Sequence, residues 1–218
     1  MISLIKAVLK KTFIYPIYLR RVAQAKRAGK IKAWESKGRP APPIAEVKQD
    51  IVTAYARNYG CKFLVETGTF KGDMVAAQMG NFDRIYSIEL SKELHEKAAD
   101  RFRGNLKVVL LMGDSGQVLS TISSSLPENT LFYLDGHWSS GVTAKGQLET
   151  PIIAELNCLF SRGFTDVILI DDARCFDGTA DYPPLEELKA FCLSKSSAIA
   201  FEVADDMIRI TPIAPKVN

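Results

Sequence analysis

Residues Phe63-Leu-Val-Glu-Thr-Gly-Thr-Phe-Lys-Gly72 decide how the chain is read. A short apolar run climbs to an acid, and a glycine turn follows at once. Apolar runs of this length, bounded by turn signals, read as strands buried on both faces. Glycines let such a turn close tightly and let backbone approach a ligand. Helix-period sequence then runs from Asp73 to Met79, so strand, turn and helix follow in order.

The alternation repeats downstream. Further strands are expected at Arg84–Leu90, Leu106–Met112, Leu131–Leu134 and Val167–Ile170. Ser91 caps a helix with Leu94, Ala98 and Phe102 at four-residue spacing. Pro151 opens another, carrying Ile152, Leu156 and Leu159, and Gly163 stops it. A helix at Leu185–Leu193 precedes two apolar runs, Ala198–Val203 and Ile208–Ile213, that flank Asp205-Asp206 as a hairpin. The expected fold is α/β: a doubly wound, mostly parallel, seven-stranded Rossmann-like sheet with a C-terminal antiparallel hairpin.

Upstream, the composition changes. Residues 1–39 hold eleven Lys and Arg against one acid, Glu35, a formal +10; the rest holds seventeen against twenty-four, a formal −7. Leu4, Val8, Phe13 and Ile17 among these cations suggest a basic amphipathic helical arm, broken near Pro16. Two readings stand for it: packing on the body or on a second subunit of a homo-oligomer, or lying on an anionic membrane surface. Nucleic acid is not expected as a partner, because no recognition motif accompanies the charge. Gly38-Arg-Pro-Ala-Pro-Pro43 is a stiff linker. The boundary is therefore placed after residue 43, with an amphipathic helix from Ile44 to Tyr59 opening the domain 44–218.

Other classes fall away on composition. Cys61, Cys158, Cys175 and Cys192 are far apart and form neither a C-x-x-C metal pair nor a disulfide framework. Reduced thiols in a cytoplasmic protein are the simpler expectation. No apolar run reaches the roughly 18–20 residues of a spanning helix, and no signal-peptide cleavage pattern is expected.

In open parallel sheets, ligands sit outside the carboxyl ends of the strands. Those ends spell Glu66-Thr67-Gly68-Thr69-Phe70-Lys71-Gly72, then Glu89, Asp114-Ser115, Asp135-Gly136-His137 and Asp171-Asp172. The turn is not G-x-G-x-x-G, and Asp73 after Lys71-Gly72 breaks the P-loop pattern. Acids here make a poor phosphate cradle and suit a ligand with a cationic end and sugar hydroxyls. Glu89 is placed to accept from both hydroxyls of a ribose.

Taken together, the turn, Glu89 at the end of the second strand, Gly113-Asp114-Ser115 after the third and the closing hairpin resemble class I S-adenosylmethionine-dependent methyltransferases over about residues 44–213. The resemblance implies that Glu66, Thr67, Gly68, Thr69 and Gly72 wrap the methionine part of the cofactor, with Glu89 on the ribose and Asp114-Ser115 near the adenine, Asp135 bordering the same crevice. A turn-forming aspartate is the alternative for Asp114. Asp135, Asp171 and Asp172 end neighbouring strands. Crowded carboxylates repel unless protonated or bridged by a cation, and hard oxygens suit Mg²⁺ or a similar divalent ion. This is similar to the metal-dependent O-methyltransferases of the macrocin and catechol type. There the resemblance implies an ion that holds a hydroxyl and lowers its pKa.

The chain departs from those groups at their general base, where it places His137 and Trp138. Imidazole titrates near neutrality, so His137 is the candidate base; a structural role is the alternative. Trp138 is a candidate substrate stack or loop anchor. Arg174 could hold an anionic substrate group or pair with Asp171 or Asp172. The expected activity is methyl transfer from S-adenosylmethionine to a hydroxyl of a small molecule, a sugar or glycoside being implied only by the macrocin likeness. A metal-dependent hydrolase or hydroxylase, which needs the carboxylates but not Glu89, and a non-catalytic cofactor-binding scaffold are the other readings.

Overall fold

The computed structural model of the chain describes residues 14–136, 150–163 and 165–213. It divides into two units, residues 1–48 and 49–218. In the first, helix α1 (Ile14–Ser36) runs without a break past Pro16. Pro16 sits in its first turn, where a missing N–H costs no helical hydrogen bond. Trp34 Nε1 donates to the Pro40 carbonyl at 2.8 Å, and the Arg39 guanidinium lies 5.2 Å from the indole centre. The start of α2 (Ala45–Tyr59) is tied by Lys30 Nζ on Glu46 Oε1 at 2.5 Å and Arg27 Nη2 on the Glu46 carbonyl at 2.6 Å.

The second unit is built on one seven-stranded sheet. Its elements are β1 (Phe63–Thr67), α3 (Asp73–Gln78), β2 (Arg84–Glu89), α4 (Lys92–Arg101), β3 (Val108–Met112), α5 (Ser115–Ile122), β4 (Thr130–Leu134), α6 (Ile152–Phe160), β5 (Val167–Ile170), α7 (Leu185–Lys195), β6 (Ile199–Ala204) and β7 (Met207–Pro212). Spatial order is β3-β2-β1-β4-β5-β7-β6. The first five are parallel, and β7 pairs antiparallel with both β5 and β6. The expected fold class is the observed one. Winding reverses between β1 and β4, and that crevice is where a doubly wound sheet receives its ligand.

Two apolar layers hold the helices to the sheet. Leu64, Ile85, Leu131 and Leu169 pack with Val52 and Ala56 of α2, Val75 of α3 and Ala98 of α4. The alternate strand residues Val65, Ile88, Phe132 and Ile168 pack with Leu119 of α5, Leu156 of α6 and Leu188 of α7. β4 and β5 are buried along their whole length, which is why their sequences are continuous apolar runs rather than alternating ones.

Some boundaries differ from expectation. β3 starts at Val108 because its first sheet partner is Ile85 opposite it; Leu106 precedes that pairing and is 89 % exposed. Helix α5 was not anticipated from the sequence. Asp114 caps it, with Oδ1 accepting from Gln117 N at 3.2 Å. All four cysteines are free. Among the described residues, no helix is long and apolar enough to cross a membrane.

Candidate functional site

The turn after β1 is held by its neighbours on both sides. Gly68 N and Thr69 N both donate to the Ile88 carbonyl of β2, at 2.9 and 3.2 Å. On the other side, Asp135 N at the end of β4 donates to both the carbonyl and the hydroxyl of Thr67, each at 3.2 Å. Gly68 has φ +84°, and a Cβ built there would lie 2.4 Å from the Asp135 carbonyl oxygen. No side chain fits at that approach, so this glycine is what lets the β1 turn close on β4.

Glu66 is 2 % exposed beneath this turn. Ser87 Oγ donates to its Oε2 at 2.5 Å and lies 2.6 Å from Thr69 Oγ1. Burial pushes the Glu66 carboxyl up to about 8; Ser87 opposes the shift, and the nearby Asp135 and Glu89 add to it. It therefore carries its proton at neutral pH. Glu89 ends β2 with one oxygen on Phe70 N and the other on Ser91 N, both at 2.8 Å. The two amides fix the carboxylate plane at the lip of the turn. Each oxygen has a second lone pair available in principle to a bidentate partner.

Asp114 and Ser115 start α5 at the end of β3, with Ser115 buried. Asp114 thus caps a helix, where the alternative reading was a turn-forming aspartate. Gly72, at φ +73°, leads into α3 with the Phe102 ring packed against it. The ends of β1, β2, β3 and β4 thus place Glu66 to Thr69, Glu89, Asp114-Ser115 and Asp135 along one edge of the sheet. His137 and Trp138 lie outside the described residues.

At β5 the acids are wired to protein donors. The Tyr133 hydroxyl lies 2.5 Å from Asp171 Oδ2 and 3.3 Å from Asp135 Oδ2, so both carboxylates meet on one phenol. Burial first, then the Asp135 and Asp171 charges, hold the Tyr133 hydroxyl well above its ordinary pKa, so it keeps its proton. Asp171 Oδ1 accepts from Asp172 N at 2.9 Å. Asp172 adopts φ +54°, and its Oδ1 accepts from Arg174 Nη1 at 2.7 Å. The same Arg174 nitrogen also bonds Asp206 Oδ2, and Arg174 N donates to Asp206 Oδ1 at 2.9 Å.

A divalent ion needs several carboxylate oxygens converging without competing donors. Here Asp135 and Asp171 share a phenol, and Asp172 is neutralised by Arg174. Among the described residues, no group of three or more His, Cys, Asp or Glu is arranged to hold an ion. The donor set does not fit the expected cation, and like-charge crowding is relieved by a proton and a guanidinium instead. Arg174 has its charge met by Asp172 and Asp206, and the first of these is the expected pairing.

Three polar participants escaped the sequence reading. Ser87 and Tyr133 sit inside apolar strands, and only the two-residue period would have put Tyr133 on the face of Asp135. Glu155 interrupts the apolar stripe of α6 and is 2 % exposed. Its position one turn after Ile152 was the available signal.

No family model matches the chain, and no curated protein does. Solved structures do match in fold, among them methyltransferases in complex with S-adenosylmethionine (SAM) or its demethylated product. An O-methyltransferase from Bacillus cereus in complex with S-adenosylhomocysteine (SAH) superposes with TM-score 0.57 at 14 % identity, covering 86 % of this chain and 90 % of that one. The O-methyltransferase TomG from Streptomyces achromogenes, in complex with SAM, gives 0.55 at 15 %, covering 84 % and 87 %. The SAH-bound methyltransferase PaMTH1 from Podospora anserina gives 0.55 at 15 %, covering 92 % and 97 %.

Proposed function

We propose that the protein transfers a methyl group from SAM to a hydroxyl of a small molecule. The carrying observation is Glu89: a buried carboxylate fixed by two backbone amides at the lip of a glycine turn, on the strand beside the switch point. That geometry suits the two hydroxyls of a ribose. The acids around it suit a sulfonium, and Glu66 adds hydrogen-bonding capacity without a further charge because it holds its proton. The likeness in fold to SAM- and SAH-bound O-methyltransferases supports the same reading.

In this proposal the ends of β1, β2 and β3 hold the donor, and the ends of β4 and β5 border the acceptor. Holding methyl and oxygen in line supplies much of the acceleration. His137, two residues beyond Asp135, is the proposed base. No step runs through a metal ion, because the carboxylates that would bind it are already engaged. That engagement also weighs against a metal-dependent hydrolase.

Calorimetry with SAM and SAH tests the donor site. The wild-type chain should bind both, and Glu89→Ala should weaken SAH by about ten- to a hundredfold, the worth of charge-assisted hydrogen bonds to a ribose. Absence of binding by the wild type refutes the proposal. A panel of hydroxyl compounds with methyl-labelled SAM then separates an enzyme from a cofactor-binding scaffold.

A further inference from the structure

Helix α1 is exposed at every residue from Pro16 to Lys26. Its packing lies at the other end, where Trp34 is buried. Tyr15, Tyr18, Leu19 and Val22 recur at i, i+3, i+4 and i+7, so they line one side of the helix over two turns. Tyr18, Leu19 and Val22 are 57, 47 and 47 % exposed, and Ile17, off that line, is 46 % exposed. Uncovered apolar side chains grouped in this way and rimmed by charge mark an interaction surface.

The charge is of one sign. Arg20, Arg21, Lys26, Arg27, Lys30 and Lys32 share the helix with a single acid, Glu35. Arg27 and Lys30 reach Glu46. Among the described residues no salt bridge holds Arg20, Arg21, Lys26 or Lys32. Lys26 follows Val22 by four residues, so the apolar line runs on into a cation. The sequence before the helix adds Lys6, Lys10 and Lys11, with Leu4, Val8 and Phe13 among them and no acid.

We propose that α1 is a docking surface for an anionic phospholipid bilayer, on which it lies flat. An interfacial helix is held by burial of its apolar side and by attraction of its cations to anionic headgroups. Tyrosines suit that boundary, with the ring toward the acyl chains and the hydroxyl among headgroups. Lysine and arginine stems let the apolar line settle while their charges stay in water. A second copy of the chain is the competing occupant, since residues 40–218 carry net negative charge. A stable protein interface takes roughly 20–30 residues a side, however, and this stripe is two turns long.

The test is vesicle flotation of the full-length chain, with phosphatidylcholine alone and with an equal mixture of phosphatidylcholine and phosphatidylglycerol. The wild type should float with the mixed vesicles only, and salt raised to about 0.5 M should release it. Arg20→Gln, Arg21→Gln, Lys26→Gln and Lys32→Gln combined should weaken binding about tenfold or more. Leu19→Ser with Val22→Ser should weaken it about five- to tenfold. All six side chains are exposed, so both variants should keep the wild-type melting temperature. Failure of the wild type to float, equal flotation with both vesicles, or unchanged flotation of both variants overturns the proposal. So does a dimer that these substitutions split while the wild type ignores vesicles, which assigns the surface to a second copy. The salt and lipid dependence of the wild type needs no variant and decides the matter even where a variant unfolds.

Discussion

Replacing Gly68 by alanine should damage stability and donor binding together, and the size of both effects follows from one contact. The new methyl would sit 2.4 Å from the Asp135 carbonyl oxygen, where real contacts of this kind stay above 3.0 Å. The β1 turn and the end of β4 must then separate by at least the difference, 0.6 Å. Neither side is a flexible side chain. The separation strains two hydrogen bonds from Asp135 N to Thr67, both already at 3.2 Å. Alanine must also hold φ +84°, which costs an L-residue about 1–2 kcal/mol. Overpacking against backbone adds about 1–3 kcal/mol. A loss of roughly 2–5 kcal/mol is a large part of a typical stability of about 5–15 kcal/mol, and lowers the melting temperature by roughly 5–15 °C. A shift of this size at the turn proposed to hold the donor should weaken SAH by about ten- to a hundredfold.

The assay is urea unfolding and SAH calorimetry on Gly68→Ala beside Gly80→Ala. At Gly80 an added methyl meets nothing within 4 Å. The control should unfold and bind like the wild type. If Gly68→Ala does so too, the β1 turn does not close on β4 as described, and the crevice built on that closure is wrong.

Glu66 gives a pH dependence of definite sign. Its folded pKa, about 8, lies above the ordinary value of 4.5, so the folded protein keeps a proton that the unfolded chain releases. Stability from this group is full on the acid side, declines as pH climbs through that window and levels off above about 8. Unfolding in urea across the window should show the decline, and Glu66→Gln should flatten it; a wild-type curve that rises with pH contradicts a buried, protonated Glu66. Tyr133→Phe leaves the buried Asp171 carboxylate short of a donor and should lower stability by about 1–3 kcal/mol in urea titration, with no loss pointing to a rearranged cluster. Chelator should change SAH affinity and methyl transfer by less than about twofold, since the carboxylates already have protein donors; strong inhibition restored by Mg²⁺ would overturn that.

Legibility in the sequence followed the range of the interactions. The strand ends could be read because each depends on a local pattern: an apolar run, a glycine turn, a cap. Glu66, Glu89, Asp114 and Asp135 were therefore legible as residues at the carboxyl ends of neighbouring strands. Arg174 was open between two roles because its second partner, Asp206, lies in the β6–β7 turn. Only the antiparallel register of β5 on β7, Ile170 opposite Ile208, brings that turn alongside. Tyr133 and Glu155 were hidden for another reason. Each occupies an apolar position of its element, and its polar atoms matter only through what the neighbouring elements deliver.

Those hidden groups change how the charge of the site is counted. By sequence the rim gathers Glu66, Glu89, Asp114, Asp135, Asp171 and Asp172, six carboxyls that would repel one another and invite a cation. In the fold, burial leaves Glu66 protonated, Arg174 neutralises Asp172, and the Tyr133 proton lies between Asp171 and Asp135. Glu89 and Asp114, at the ends of β2 and β3, are held instead by backbone amides, beside the turn proposed to hold the donor. A singly charged sulfonium needs no more than that, and a denser cluster would favour a divalent ion in its place. The same three devices that make the crevice affordable to fold therefore also set which cation it should prefer, and their removal one at a time should move both properties together.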